Sequence, residues 1–163
     1  MRRRAIAILR SSIEAATAIL LLAMTGCAQP APIAAAAIPP IPAGEARIWV
    51  YRTYEPYADH GMPAVYANGG TIGWAQLGGA FYRDVAPGHY HITVWSLGVD
   101  FNQSSDLDLA AGQQAYIRIV SAPEWEVSGG FRRSNYRPTY YAWLIPPQVA
   151  QAEVAPLAFQ GGG

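Results

Sequence analysis

Apolar and polar residues alternate in several short stretches of this chain. Ile48 and Val50 share one face of the stretch that begins at Ala46, and Trp49 and Tyr51 share the other. Both faces are apolar, which favours a strand in the middle of a sheet. The same alternation in later stretches completes a predicted core, whose members are Ile48, Val50, Ile92, Val94, Leu107, Leu109, Ile117 and Ile119.

Turn-forming residues separate these stretches. Asn68-Gly69 is a strong hairpin signal, because both residues tolerate a positive φ. The predicted strands cover residues 46–52, 63–67, 71–76, 80–85, 89–96, 104–110, 114–121 and 139–145. Short strands at close spacing, without helices between them, predict an all-β fold, an antiparallel β-sandwich of about seven or eight strands. A short C-terminal helix is expected over Gln148–Ala155, where Pro156 limits it.

The N-terminus has the pattern of a secretory signal. Four arginines among the first residues precede an apolar run, Ala15–Met24. At ~1.5 Å per residue this run covers only about half of a ~30 Å hydrocarbon core. The next residues, Thr25-Gly26-Cys27, resemble the signal of bacterial lipoproteins, in which the cysteine is acylated and becomes the mature N-terminus. The resemblance implies a palmitate-type anchor on Cys27, and Ala28 after it is similar to cargo sent to the outer membrane.

The segment after Cys27 is rich in proline and alanine. Residues 28–45 contain five prolines and a single charge, a composition that builds no core. We predict a semi-extended tether that reaches at most ~55 Å at the rise of polyproline. The predicted organisation is a signal peptide over 1–26, a lipidated cysteine and tether over 27–45, a β-sandwich domain over 46–147, and a C-terminal helix and tail over 148–163.

The amino-acid composition excludes several classes of functional site. All 11 basic residues are arginine, and the 163 residues include one cysteine. Without lysine the chain has neither a P-loop nor a Schiff-base nucleophile, and one cysteine excludes an internal disulfide and a Cys-rich zinc site. The formal net charge is zero and only 13% of residues are charged, so no nucleic-acid partner is expected. From Cys27 onward, seven arginines face ten acidic residues, a net charge of −3.

The turn motifs carry a further resemblance. Val65–Gly69, Pro87–Tyr90 and Ala111–Gln114 follow one another in an order that resembles an uncharacterised family of bacterial lipoproteins, a family defined by a domain of unknown function. That family is similar to PEGA-type and transthyretin-like domains, and the resemblance covers about residues 46–120. It implies a small β-sandwich in the cell envelope. It attaches no catalytic residues to this chain.

Histidines are the candidate metal ligands. His89 and His91 share one strand face, and His60 with Asp59 or Asp84 adds further ligand types for Zn²⁺ or Cu²⁺. The same spacing is expected of an exposed sheet face that happens to carry histidine. We therefore expect no metal, no other cofactor and no catalytic residues. A metal site or an active site formed by these histidines is the alternative.

A basic and aromatic cluster lies in the long predicted loop, residues 121–138. Guanidinium groups suit phosphate and carboxylate, and aromatic faces suit sugar rings, so this loop is a candidate contact to an envelope glycan or protein. Local pairing of its arginines with Glu124 and Glu126 is the alternative. The candidate contact residues are Arg132, Arg133, Arg137, Trp125 and Tyr136.

Two functions from different classes follow from these observations. The leading hypothesis is a non-enzymatic envelope lipoprotein, attached to the membrane by its N-terminal lipid, that binds or organises another envelope protein or glycan. The alternative is a small periplasm-facing enzyme or metal-binding protein that uses His60, His89 and His91.

Overall fold

A computed structural model describes residues 30–56, 58–127 and 134–163. Within them the chain is predominantly β, in two packed sheets, which confirms the predicted all-β class. A 3₁₀ turn covers Ile33–Ala35. The strands are β1 (Ala46–Arg52), β2 (Ala64–Ala67), β3 (Gly70–Trp74), β4 (Gly79–Val85), β5 (Gly88–Val94), β6 (Ser105–Leu109), β7 (Gln114–Val127), β8 (Ser134–Ile145) and β9 (Ala158–Phe159), with helix α1 (Pro147–Val154) before β9.

The larger sheet has the order β8-β7-β1-β4-β9 and the smaller one β3-β2-β5-β6. Strand β1 lies in the centre of the larger sheet, as its two apolar faces predict. Most neighbours are antiparallel, but β1 pairs with β7 in parallel, and so does β4 with β9. The larger sheet is therefore mixed rather than purely antiparallel. Its parallel pairs join strands far apart in sequence, which hairpin turns alone do not reveal.

The predicted core lies between the two sheets. Ile48 and Val50 from the larger sheet pack with Ile92 from the smaller one, and all three are fully buried. Leu107, Leu109, Ile117 and Ile119 are also buried. Val94 is only half-buried at the end of β5, where it packs against the edge of this core.

A second apolar cluster covers the outer face of the larger sheet. Trp49 stacks on Tyr116 with ring centroids 6.2 Å apart, and Tyr51 and Tyr82 lie in the same cluster. Helix α1 packs on these rings through Ala150 and Val154, joined by Leu157 and, from the N-terminal segment, Ile33 and Ile38. The fold thus has three layers, which explains why β1 is apolar on both faces.

The N-terminal segment is docked on the domain rather than free. The amide of Ile33 donates to the carbonyl of Leu157 over 2.8 Å, and that of Ala34 to Ala155 over 3.0 Å. Arg47 donates to the carbonyl of Pro39 over 2.8 Å. This differs from the predicted tether, because Ile33 and Ile38 in the proline-rich segment pack against the outer apolar cluster. The overall composition of the segment did not indicate these contacts. Cys27 lies outside the described residues.

Residues 121–127 and 134–138 are paired strand, which corrects the predicted long loop. Beyond Arg118, the last residue of β7 that pairs with β1, strand β7 continues to Val127 paired only with β8. The hairpin formed by 122–127 and 134–138, here called the arm, therefore extends past the sheet. Glu124 is the register partner of Arg137, and Trp125 that of Tyr136. Arg132 and Arg133 lie outside the described residues.

Candidate functional site

The loops and the arm leave the two sheets at the same end of the sandwich. Strand β1 ends there at Arg52, which pairs with Gly79 at the start of β4. Val94, the last residue of β5, pairs with Val65 near the start of β2. Residues 53–63, 75–78 and 95–104 all connect strands at this end, here called the loop end. The tight turns at 68–69, 86–88 and 110–113 occupy the opposite turn end.

Large apolar side chains are concentrated at the loop end. Seven of the ten exposed ones among the described residues lie there, so the end differs from the rest of the surface. Val99 is 93% exposed and Phe101 is 86% exposed, on one loop. The other five are Tyr54, Met62, Trp74, Trp95 and Leu97. Exposed large apolar groups that cluster at one end of a domain are typical of an interaction surface.

The loop that carries Val99 and Phe101 is built on two polar side chains. The Gln103 amide donates to Ser96 Oγ over 3.2 Å, to the Gly98 carbonyl over 3.1 Å and to the Tyr140 carbonyl over 3.0 Å. Ser96 Oγ accepts the amide of Tyr140 over 3.0 Å. The base of the loop is therefore tied to β8, so the exposed side chains project from a fixed support.

The tip of the loop is closed by a carboxylate. The amide of Phe101 donates to Asp100 Oδ1 over 2.7 Å, and the amide of Asp100 donates to Gln103 Oε1 over 2.8 Å. The hydroxyl of Tyr141 donates to Asp100 Oδ2 over 2.6 Å. This hydrogen bond, and secondarily the one from Phe101, holds the pKa of Asp100 below its usual value. Asn102 takes a φ of +60°, in the left-handed region that asparagine tolerates.

A buried arginine holds the neighbouring loop, 53–63. Arg52 is 1% exposed and donates to the carbonyl of Gly61 over 2.6 Å, to the carbonyl of Asp59, and to Ser121 Oγ over 3.2 Å. Asp59 also accepts the hydroxyl of Tyr140 and the amide of Gly61. Asp59, a predicted candidate ligand, is thus engaged in closing this loop.

The histidines are distributed over the domain. His89 lies opposite Asp108 with Nδ1 and Oδ1 3.0 Å apart, and His91 lies opposite Asp106 with the same atom types 2.7 Å apart. Both pairs lie on an exposed face of the smaller sheet. His60 lies in the loop 53–63 at the loop end, whereas His89 follows the first residue of β5 at the turn end. Among the described residues no group of three or more His, Cys, Asp or Glu has an arrangement suited to a metal ion.

The other predicted ligand, Asp84, is committed to a buried ion pair. Its carboxylate accepts two hydrogen bonds from Arg47, over 2.6 and 2.8 Å. The guanidinium also lies 3.8 Å from the ring centroid of Tyr82. The hydrogen bond that Arg47 donates to Asp84 raises the pKa of Arg47. This pair holds the N-terminal segment through Pro39, and Arg47 engages both oxygens of the Asp84 carboxylate.

A cleft of about 440 Å³ opens at the turn end between β6 and the start of α1. Its walls are mainly apolar and include Leu109, Leu144 and Pro146. Asp108 is the single ionisable side chain among its lining residues, so the cleft offers no acid and base pair. Its two glutamines already accept hydrogen bonds, Gln113 from the amide of Ala110 and Gln114 from the Trp49 indole.

Comparison with known proteins adds no relative: no family model, no curated protein and no solved structure matches this chain. Helix α1 has eight residues, and no helix within 30–56, 58–127 and 134–163 has the length and apolar character to cross a bilayer.

Proposed function

We propose that this protein is a non-enzymatic lipoprotein of the bacterial cell envelope, which works by surface contact with another envelope component. The order of positive charges, short apolar run and Thr25-Gly26-Cys27 supports an acylated N-terminus. Ala28 after the cysteine supports the outer membrane as the destination. The envelope partner is a protein or a glycan.

The observation that carries the contact role is the display of Val99 and Phe101 on a supported loop. Apolar side chains that are 93% and 86% exposed do not contribute to the core. Their loop is nevertheless held by Gln103 and Ser96 in a defined conformation. A surface that is ordered before binding loses little conformational entropy when it binds, which favours recognition.

The arm supplies a second contact element beside this loop. Its register partners Trp125 and Tyr136 are aromatic, and Arg137 lies on the strand that carries the base of the loop. We propose that the basic and aromatic residues of 121–138 contact an anionic glycan or protein of the envelope. The residues proposed for this contact are Arg132, Arg133, Arg137, Trp125 and Tyr136.

Crosslinking in the native envelope tests the contact role. A photoreactive amino acid replaces Phe101 in one full-length variant and Ala111, in a turn at the opposite end, in the matched control. A crosslinked product at position 101, with none at 111, is the expected result, and the mass of that product shows whether this loop contacts a lipid, a protein or a glycan. Equal labelling at both positions, or no product at either, contradicts a contact site at the loop end.

The arm and the anchor need their own variants. Replacing Arg132, Arg133 and Arg137 together by glutamine is expected to remove the crosslinks that residues 121–138 form in the native envelope. The melting temperature of the variant is expected to stay unchanged. Cys27→Ala is expected to block processing or to release the protein from membranes.

Stoichiometric zinc or copper in protein purified without a His tag, bound through His89 and His91, would instead favour the metal-binding alternative.

A further inference from the structure

We infer that the loop end faces the lipid bilayer and that the loop bearing Val99 and Phe101 inserts into the membrane interface. This inference rests on the proposed acylation of Cys27, and adds to it an orientation and a second, protein-based membrane contact. The occupant of the exposed apolar surface is therefore the lipid interface itself.

The first step is the length of chain between the anchor and the docked segment. Pro30 and Pro32 line one cleft together with Tyr54 and Gly78, which belong to the loop end, and Pro32 forms an isolated bridge with Ala158. Only two residues lie between Cys27 and Pro30, and the three steps from Cys27 to Pro30 cover at most ~3.6 Å each in a fully extended chain, about 11 Å in all. An acylated Cys27 would thus keep the loop end next to the bilayer, whereas a free tether would let the domain move up to ~55 Å away.

The second step is the position of the apolar loop relative to this attachment. Pro32 bridges to Ala158, the first residue of β9, at one edge of the larger sheet, while the loop is tied to β8 at the other edge. Four strand spacings of ~4.8 Å separate these edges, roughly 19 Å. An anchor at one edge leaves the domain free to tilt. A contact at the other edge fixes the orientation of the loop end.

The third step is the chemistry of the surface that would meet the lipid. The exposed residues are aliphatic and aromatic, with Tyr54 beside Pro30 and Trp95 at the base of the loop. Aromatic side chains of this kind are enriched at membrane interfaces, and aliphatic ones insert among the acyl chains. The amides of Asp100 and Phe101 have hydrogen-bond partners inside the loop. These two amides therefore stay hydrogen-bonded when the tip leaves water.

Asp100 sets the depth of this insertion. Its carboxylate carries a charge that Tyr141 and the Phe101 amide stabilise. A charge is costly in the hydrocarbon centre, so the tip stays at the level of the headgroups and the upper acyl chains.

Spin labelling of the full-length chain tests the inference. Acylated Cys27 has no free thiol, so a cysteine introduced by Phe101→Cys, or by Val99→Cys in a second variant, is the label site. Ala111→Cys, in an exposed turn at the opposite end, is the control. The acylated variants are reconstituted in vesicles of phosphatidylethanolamine with a minority of phosphatidylglycerol. Collision of the nitroxide with oxygen and with a water-soluble nickel complex then reports its depth.

We expect labels at 99 and 101 to collide mainly with oxygen and the label at 111 mainly with nickel. Nickel access at 99 and 101 equal to that at 111, in protein that floats with the vesicles, overturns the inference and leaves the anchor intact. Protection that occurs in native membranes and not in vesicles assigns the surface to a protein partner and also overturns it. Protein that does not float, with a reactive thiol at Cys27, refutes the proposed anchoring itself.

Discussion

The hydroxyl of Tyr141 donates a 2.6 Å hydrogen bond to the carboxylate of Asp100, and this bond joins the tip of the apolar loop to strand β8. Tyr141 lies on the strand whose outer part forms the arm. The Tyr141 phenol thus adds to the ties that Gln103 and Ser96 make to β8, and the position of Phe101 depends on a strand that is distant in sequence.

Removing this phenol should change the titration of Asp100. A carboxylate that loses a hydrogen bond to its charged form becomes easier to protonate, so Tyr141→Phe should raise the pKa of Asp100 towards the ordinary value of an aspartate. The measurement is an NMR titration of the Asp100 side chain. Tyr54→Phe, which removes an exposed hydroxyl at the same end, is the control. An unchanged Asp100 titration in Tyr141→Phe would show that the hydrogen bond does not persist in solution.

Alanine substitutions should lower the free energy of unfolding more at buried positions than at exposed ones. Ile117 is fully buried between the sheets, and Ile117→Ala should lower the free energy of unfolding by about 2 to 5 kcal/mol. Val94→Ala should cost less, because Val94 is half-buried. Val99→Ala, at a 93% exposed position, should change stability by less than about 0.5 kcal/mol. Urea unfolding of the three variants gives the order, and a large loss for Val99→Ala would place that side chain in a packed environment.

The strands could be predicted from the sequence wherever burial is regular. Ile48 and Val50 alternate with Trp49 and Tyr51, and the structure covers both faces, one with the smaller sheet and one with α1. The parallel pairing of β1 with β7 could not be predicted, because it depends on how distant strands meet. The loop predicted over 121–138 was also wrong, because cross-strand pairing with β8 continues to Val127 and depends on the partner strand rather than on local composition.

The candidate site was the part least accessible from the sequence. Gln103 and Ser96 are ordinary polar residues in a loop, and their role depends on the carbonyl and amide of Tyr140 on β8. Arg52 ends an alternating strand, and nothing local marks it as a buried clamp for residues 53–63. The apolar residues Val99 and Phe101 were visible, but their exposure follows from the support beneath them and not from their spacing.

Tyr51 should make stability fall at alkaline pH. Burial, and next the hydrogen bond of 2.6 Å to Glu153, raise the pKa of Tyr51 well above its usual value, while Arg118 opposes them. The folded state therefore keeps a proton on Tyr51 that the unfolded state loses above about pH 10. The contribution of Tyr51 to the free energy of unfolding is full below that pH and declines above it. The free energy of unfolding should decrease by about 1.4 kcal/mol per pH unit from this group alone.

Tyr51→Phe is the matched variant for this effect, since it keeps the ring in the outer cluster. Urea unfolding between about pH 9 and 11 should show a shallower decline for the variant than for the wild type. Below this range the variant should be less stable by about 1 kcal/mol, the typical worth of the lost hydrogen bond to Glu153. Parallel declines in the two proteins would mean that Tyr51 titrates as it does in the unfolded chain.

The N-terminal segment should remain docked in solution. The amides of Ile33 and Ala34 donate to Leu157 and Ala155, so their hydrogen exchange should be slower than that of an unstructured chain. Ile33→Ser with Ile38→Ser removes the apolar contacts of this segment with the outer cluster, and should bring exchange of both amides close to the unstructured rate. Exchange of the β1 amides, measured in the same sample, shows whether the domain itself stays folded. Fast exchange at Ile33 and Ala34 in the wild type would restore the free tether, and with it a domain able to move away from the membrane.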